Sequence, residues 1–470
     1  MDVTPILDPL NSAQREAVTA GNTPVLVIAG VGSGKTRVLV HRIAWLCEVQ
    51  SVSPYSMLAV AFTNKAAAEM RARAENLLNY EIGGLWIGTF HGISHRLLRT
   101  HWQEAGLKEN FQVLDSNDQL RLVKRIIQDL DLDDSQWPPK RMQGYINSQK
   151  EEGLRAAALR DREDQTTRQE TRIYTAYEQE CERMGLVDFE ELLLRSLELL
   201  QQNAEIRAHY REKFRHILVD EFQDTNVIQY KWLKMFAGDD NPVFAVGDDD
   251  QSIFSWRGAR VENIRNFVRD YKNTQRFRLE QNYRSTSTIL SVANSLINNN
   301  PGRMEKKLWT DGVVGEPVHL YAAFNEQDEA CFVVDRVQQW VESGRSRRDE
   351  IAILYRSNAQ SRVFEEVFIS QSIPYRVYGG LRFFERAEIR DALAYLRLAQ
   401  NHEDDSSFER IVNVPLRGIG QRTLAQLRDF ARDHQITLWD AAEKICRSGG
   451  LTARSATALE NFLELMQTLR

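Results

Sequence analysis

At 470 residues the chain is too long for one hydrophobic core, so several domains are expected. Its 42% hydrophobic and 27% charged residues are those of an ordinary soluble globular protein, and a formal net charge of −6 excludes a global basic field, so any nucleic-acid partner has to be held by a local groove. Cys47, Cys181, Cys331 and Cys446 lie far apart, with no C-x-x-C spacing and no nearby His, which reads as reduced thiols in a cytoplasmic chain rather than a metal site. The start, Met1-Asp2-Val3-Thr4-Pro5, has no leader character and no apolar run approaches membrane-spanning length, so no membrane association is expected.

Short apolar runs bounded by Gly, Asp or Thr recur at 25–28, 57–62 and 85–87, with helical text between them, and read as buried strands of a parallel sheet. From about 90 to 214 the chain is charged, helical and poor in strand signals, as expected of a helical domain inserted at a surface loop. Strand signals resume at 217–219 and 243–246. A second series at 319–324, 351–355 and 375–378 reads as a second α/β domain, and from Phe383 the pattern is wholly helical. The final helix, 458–470, stops without a cap, which the reading takes as a fragment of something longer.

Val25-Leu26-Val27-Ile28 runs into Ala29-Gly30-Val31-Gly32-Ser33-Gly34-Lys35-Thr36 and then an amphipathic stretch. Strand, Gly-rich loop, Lys-Thr, helix is the order of a phosphate cradle: backbone N–H groups face the anion, Lys35 reaches the β/γ-phosphates and the Thr36 hydroxyl takes Mg²⁺. The first Gly of the usual G-x-x-x-x-G-K-[ST] pattern is Ala29 here, with Gly30 beside it. His216-Ile217-Leu218-Val219-Asp220-Glu221 supplies a second half, with Asp220 placed for Mg²⁺ and Glu221 to orient and deprotonate a water. Taken alone, an Asp-Glu pair after a strand is more often a helix cap; the cradle at Lys35 gives it meaning.

Asp220-Glu221-Phe222-Gln223-Asp224, Gly247-Asp248-Asp249-Asp250-Gln251-Ser252-Ile253-Phe254-Ser255-Trp256-Arg257-Gly258 and Gln281-Asn282-Tyr283-Arg284-Ser285 together resemble the motifs of superfamily 1A DNA helicases of the UvrD type, with Rep and PcrA helicases as near relatives. The resemblance runs from Leu10 to the end of the chain. It implies an α/β fold of two RecA-like parallel-sheet P-loop domains, each with a helical insertion: domain 1A at 1–89 and 215–280, insertion 1B at 90–214, domain 2A from 281 to 380, and helical subdomain 2B at 381–470. It also implies roles. Gln14 would read the adenine edge, although Asn11 or Ser12 as a helix cap explains that stretch equally. Arg37 would contact nucleotide, unless it is a solvated helix residue. Gln251 would sense the γ-phosphate, Tyr283 stack on adenine and Arg284 act as an arginine finger, the plain alternative being a packed loop aromatic with a surface charge.

For the DNA track the resemblance implies Phe62, Thr63, Asn64, Thr89, His91, Trp256, Arg257 and Arg260, with Arg356 and Asn358 in the second domain. Core packing is the competing reading for Phe62 and the preferred one for Phe90. Phe254 stands where many relatives carry Tyr. Gly418 and Gly420, within Arg417-Gly418-Ile419-Gly420, would grip duplex backbone, or simply join two helices. The implied activity is ATP- and Mg²⁺-dependent 3′→5′ translocation on single-stranded DNA and unwinding at single-strand/duplex junctions. The implied setting is bacterial nucleotide excision repair, mismatch repair and replication, with DNA-repair proteins as partners, as a monomer or dimer in the cytoplasm at the nucleoid. The family's downstream motifs are missing, so weak ATP hydrolysis is expected of this chain. A helicase-nuclease, a nucleotide-dead binding subunit and a P-loop kinase are the rivals; Lys35, Asp220 and Glu221 speak against the second, and Trp256, Tyr283 and Arg284 against the third.

Overall fold

A computed structural model describes residues 3–159, 165–238, 241–304, 306–378 and 387–469, the side chain of Arg257 apart. Phe383 and the 380/381 boundary lie outside the described residues. The chain divides into two units, Met1–Val318 and His319–Arg470.

The first unit is built on eight strands: β1 (Val25–Ala29), β2 (Met57–Ala61), β3 (Trp86–Thr89), β4 (Gln112–Val113), β5 (Leu186–Val187), β6 (His216–Val219), β7 (Val243–Gly247) and β8 (Gln275–Leu279). Six of them form one sheet in the order β3-β2-β6-β7-β1-β8, and every pairing is parallel. All residues of β1, β2 and β7 are buried, the condition of a sheet covered on both faces. The period of two sorts their side chains between two cores. Val25, Val27 and Ala29 join Val38, Ile43 and Met70, from helices Lys35–Glu48 and Asn64–Leu78, on one face. Leu26 and Ile28 join Phe90, Leu193 and Trp232, from helices Phe90–Thr100, Phe189–Gln202 and Val227–Phe236, on the other. β8 carries no apolar run: Gln275-Arg276-Phe277-Arg278-Leu279 is an edge strand, and an edge strand tolerates polar residues.

Residues 114–186 have an apolar core of their own, including Val123, Ile127, Met142, Ile146, Tyr174 and Tyr177. An ion cluster joins it to the helix behind the sheet. Lys150, near the end of helix Pro139–Glu151, places Nζ 2.6 Å from Asp188 Oδ2 and 2.9 Å from Glu191 Oε2. Asp188 caps helix Phe189–Gln202 by accepting the Glu191 N–H at 2.7 Å, and Tyr177 donates its hydroxyl to Asp188 at 2.6 Å. Burial opposes the Lys150 charge, but Asp188 and Glu191 more than offset this and hold its pKa above the usual lysine range.

In the second unit, helices Glu326–Glu342 and Ser361–Ser370 share a small core around Val334 and Phe368. Helices Ala387–Gln400, Asp405–Ile411, Gln421–His434, Leu438–Ser448 and Ala453–Thr468 enclose a larger one around Leu398, Phe408, Leu427 and Phe462. The runs at 319–324, 351–355 and 375–378, expected as strands, differ from that expectation: none of them is in a ladder. Leu320 is 97% and Phe324 96% exposed. A strand is stabilised by the backbone groups of a neighbour, and among the described residues these runs have none.

Removing the Lys150 ammonium leaves the buried Asp188 carboxylate without its cation, while Glu191 keeps Arg155 and Arg195. Lys150→Met should lower unfolding free energy by about 3–5 kcal/mol, read as a lower denaturation midpoint in urea.

Candidate functional site

A parallel sheet sends the carboxyl ends of all its strands to one edge, where open α/β sheets bind ligands. Here every strand of the six-stranded sheet ends in a segment singled out from the sequence, except that β8 itself was unforeseen. β3 and β2 lead to Thr89-Phe90-His91 and Phe62-Thr63-Asn64, β1 to the Gly-rich loop, β8 to Gln281-Asn282-Tyr283-Arg284, and β6 and β7, between them, to Asp220-Glu221 and the 248–258 loop.

The loop after β1 is shaped for close backbone approach. Gly32 and Gly34 have φ of 68° and 91°, in the left-handed region, and a Cβ at Gly32 would lie 2.5 Å from Asn282 Nδ2. Ser33 Oγ donates to Gly30 O at 2.7 Å. Helix Lys35–Glu48 starts immediately after Gly34, so Lys35, Thr36 and Arg37 occupy its first turn and its free N–H groups face the loop. Gln14 is buried beneath the loop. Its Nε2 donates to Ser33 O at 2.8 Å, and its Oε1 accepts the Asn11 N–H at 3.1 Å within a capping box on helix Ser12–Val18. Both ends of the Gln14 amide are therefore bonded within the protein. Asn11 Nδ2 donates to the Tyr283 hydroxyl at 2.7 Å and to Gln281 Oε1 at 3.0 Å, and Tyr283 stays 53% exposed.

The segment after β8 is stitched onto the same loop. Asn282 Nδ2 donates to Val31 O at 2.6 Å and Tyr283 N–H to Gly32 O at 3.0 Å, while Asn282 Oδ1 accepts the Arg284 and Ser285 N–H groups at 2.8 and 2.7 Å. Arg284 is exposed, and its Cβ lies 2.9 Å from the position a Gly32 Cβ would take.

Across the loop, Glu221 adopts φ 47°, a left-handed conformation disfavoured for a side chain with a Cβ. One of its oxygens, Oε2, accepts from both Lys35 Nζ and Gln223 Nε2, each at 2.8 Å. Gln223 Oε1 accepts the Asp248 N–H at 2.9 Å, and Asp248 in turn holds Gln251 Nε2 at 2.5 Å. Burial, with Glu221 adding to it, pushes the Asp220 carboxyl up to about 7 and Asp224 up to about 6. Asp224 Oδ1 is buried without a partner among the described residues. Two carboxyls driven toward neutrality beside the Lys35–Thr36 turn form an oxygen set that fits a hard divalent cation.

On the other side of the edge the aromatics gather. Phe62 and Phe254 stack with ring centres 5.2 Å apart, Phe254 and Trp256 follow at 6.3 Å, and Trp256 is 70% exposed. His91 meets Phe189 edge-on at 6.0 Å, and burial lowers its pKa to about 4, so its ring is neutral at pH 7. The Thr63 and Thr89 hydroxyls cap helices Asn64–Leu78 and Phe90–Thr100, each accepting a backbone N–H at 3.1 Å; Asn64, the first residue of its helix, is exposed. Phe90 is buried against Trp232, as the sequence reading preferred. Arg260 pairs with Glu152 at 2.8 Å, and the Arg257 side chain lies outside the described residues. A groove of about 850 Å³ beside Trp256 is lined by Glu151, Glu152, Asp249, Asp250, Arg260 and Arg303 among others.

The remaining candidates lie in the second unit. Arg356 is exposed and Asn358 opens the short helix Asn358–Gln360. Gly418 has φ 85°, where a Cβ is disfavoured, and Gly420 precedes helix Gln421–His434. Asn413 Oδ1 braces this turn by accepting the Arg417 and Ile419 N–H groups at 2.9 and 3.2 Å.

Sequence reasoning assigned no role to Asn282, Gln223 or Lys306. The first two stand inside quoted motifs, so their position was a usable signal. Lys306, one of two adjacent lysines in a polar stretch, carries none.

Residues 10–272 match the UvrD/REP helicase N-terminal domain family and residues 277–450 the UvrD-like helicase C-terminal domain family. The chain is 58% identical over 469 residues to DNA helicase II of Escherichia coli (strain K12), covering 100% of this chain and 65% of that protein. It is 54% identical over 474 residues to DNA helicase II of Haemophilus influenzae, again covering 100% and 65%. With ATP-dependent DNA helicase PcrA of Staphylococcus aureus (strain Mu50) it shares 40% identity over 468 residues, covering 99% of this chain and 63% of that one. The chain thus spans about 65% of the length of the DNA helicase II relatives.

Burial, and then the Glu152 charge, raise the Glu151 carboxyl from 4.5 to about 7. The folded state therefore holds this proton more tightly than the unfolded one. Its contribution is fully present below 4.5 and is lost as pH rises through 7. Glu151→Gln should be more stable than the parent by ~1–3 kcal/mol at pH 8, after allowance for solvent screening, and nearly equal to it at pH 5. Urea denaturation at the two pH values measures the difference.

Proposed function

Because the chain belongs to the UvrD/REP helicase family, we propose that it forms the nucleotide-binding and single-strand-binding part of an ATP-dependent DNA helicase. The observation that carries this reading is the division of one sheet edge into a phosphate-cradle side and an exposed aromatic side, joined by hydrogen bonds from Lys35 through Glu221 and Gln223 to Asp248.

On the cradle side, the loop N–H groups and Lys35 hold the phosphates, and Tyr283 offers its exposed ring to the base. Gln14, bonded at both ends, acts on the nucleotide through the loop it supports. Asn11, bonded to the Tyr283 hydroxyl, orients that ring. Thr36 and Asp220 would hold Mg²⁺, whose chemistry is to neutralise charge on the phosphate oxygens. Glu221 orients a water and accepts its proton, and a phosphate that draws Lys35 to itself releases the carboxylate for that task. Arg284 and Gln251 approach the terminal phosphate from the loops after β8 and β7 and stabilise charge that develops in the transition state. Arg37, exposed in the first helical turn, reaches the phosphates from outside.

On the other side, Phe62, Phe254 and Trp256 present stacking faces to bases without reading them, and Asn64, His91 and Arg260 flank the strand. Arg260 becomes available to a DNA phosphate when Glu152 is displaced from it. In the second unit, taken by itself, Arg356 and Asn358 offer DNA contacts, and Gly418 and Gly420 offer backbone N–H groups to duplex phosphates. The 3′→5′ polarity and the setting in excision repair, mismatch repair and replication are proposed on the family resemblance alone, and oligonucleotides tailed on one end or the other test the polarity.

Two substitutions separate the two sides. Lys35→Ala should abolish binding of a fluorescent ATP analogue and leave oligo-dT affinity unchanged. Trp256→Ala should weaken oligo-dT binding about tenfold, the scale of one lost base stack, and leave the analogue bound. If each variant loses both ligands, or neither, the division of the edge is wrong. Glu221→Gln should bind both ligands normally and hydrolyse no ATP; residual turnover at the parent rate rules out Glu221 as the base.

A further inference from the structure

Residues 303–304 and 306–309 tie the loop after β7 to the Gly-rich loop. At one end Arg303 forks onto Asp250, with Nε 3.0 Å from Oδ1 and Nη2 2.8 Å from Oδ2, and the Met304 N–H donates to Asp249 Oδ2 at 2.6 Å. At the other end Leu308 covers Gly30 so closely that a Cβ there would fall 2.1 Å from Leu308 Cδ2. The Asn282 N–H donates to Trp309 O at 2.7 Å, and Asn282 is itself bonded to Val31.

Between these ends stands Lys306, its side chain 1% exposed. Its Nζ lies 2.8 Å from Asp248 Oδ1 and 2.9 Å from Asp250 Oδ2, and donates to Asp249 as well. Carboxylate oxygens of the three aspartates lie within 4.8 Å of one another, a crowding that requires a cation, and the Lys306 ammonium supplies it. Asp248 is the junction of the arrangement. Its N–H reaches Gln223 and so Glu221, one carboxylate oxygen holds Gln251, and the other holds Lys306. The loop that begins here carries Trp256.

We propose that Lys306 is a positioning residue that locks the loop bearing Gln251 and Trp256 to the segment over the Gly-rich loop, so that nucleotide and single-stranded DNA change each other's affinity. This inference rests on the functional reading above. A buried ammonium among three carboxylates holds or fails as a unit, because withdrawing it strands like charges in a water-poor place. The junction therefore moves as one body. Without it the two sides keep their own ligands and lose their communication, since coupling requires that both ligands bias the same structural element.

The test is a linkage measurement with Mg²⁺ and two probes, fluorescein-labelled oligo-dT and a fluorescent non-hydrolysable ATP analogue, each titrated with and without the other. In the parent chain each ligand should change the affinity of the other by about tenfold. In Lys306→Met each separate affinity should stay within about threefold of the parent while the coupling factor falls to near one. Lys306→Arg, which keeps the charge, should restore most of the coupling. A loss of packing alone would not be rescued in this way or spare both separate affinities. If Lys306→Met does not fold by circular dichroism, Lys306→Met/Asp249→Asn, with one carboxylate fewer left unpaired, takes the same measurements. Coupling that persists in the Met variant, failure of rescue by Arg, or a parent that binds both ligands without coupling overturns the role of Lys306 and leaves the functional reading standing. A parent that binds neither ligand overturns both.

Discussion

A single carboxylate oxygen, Glu221 Oε2, accepts from Lys35 on one side and Gln223 on the other. Lys35 opens the helix that follows the loop after β1, Glu221 and Gln223 belong to the segment after β6, and Gln223 passes the connection to Asp248 after β7. Three strand ends are therefore held by one run of hydrogen bonds across the sheet edge. Glu221 can stand at its centre only by taking a left-handed backbone conformation, which bends the chain away from β6 and aims the side chain at Lys35. The local cost of that conformation is offset by two hydrogen bonds, one of them charged on both sides.

The same edge shows how an acidic protein arranges partners for anions. No broad positive field exists, and the groove beside Trp256 carries acids on its wall. Attraction comes from points, among them the N–H groups at the start of helix Lys35–Glu48, Lys35 itself, exposed Arg37 and Arg284, and an Arg260 already paired with Glu152. Stacking surfaces account for the rest on the Trp256 side, and stacking does not depend on net charge. Among the described residues, the buried lysines, Lys150 and Lys306, serve as internal joints between segments and are screened from any ligand.

Buried acids divide into two kinds by their neighbours. Asp248 and Asp250 sit within reach of Lys306, and although burial opposes its charge, Asp250 is held below the usual range by Arg303 and Lys306. Asp220 and Asp224 are pushed upward by burial and by Glu221. The first kind is satisfied by the protein; the second keeps a demand for positive charge beside the phosphate cradle. That contrast separates structural carboxylates from those suited to a divalent cation more sharply than sequence spacing does.

Much was legible from local chemistry. An apolar run feeding Gly30, Gly32 and Gly34 ahead of Lys35-Thr36 can hardly fold otherwise than as strand, tight loop and helix, because the positive φ values need glycine and the helix start needs free N–H groups. The five apolar runs of the first unit became strands for the same reason: a sheet covered on both faces admits few polar residues. β8 escaped notice because an edge strand can be written in Gln and Arg, and the runs at 319–324, 351–355 and 375–378 misled because apolar character specifies burial and not a pairing partner. The sequence alone thus determined the family, the phosphate cradle and the residues that could serve it. Only the tertiary structure decided that Gln14 faces inward, that Arg260 is paired with Glu152, and that Lys306 joins three aspartates more than fifty positions away. Such contacts arise where distant strand ends meet, and no local periodicity or motif spacing encodes them.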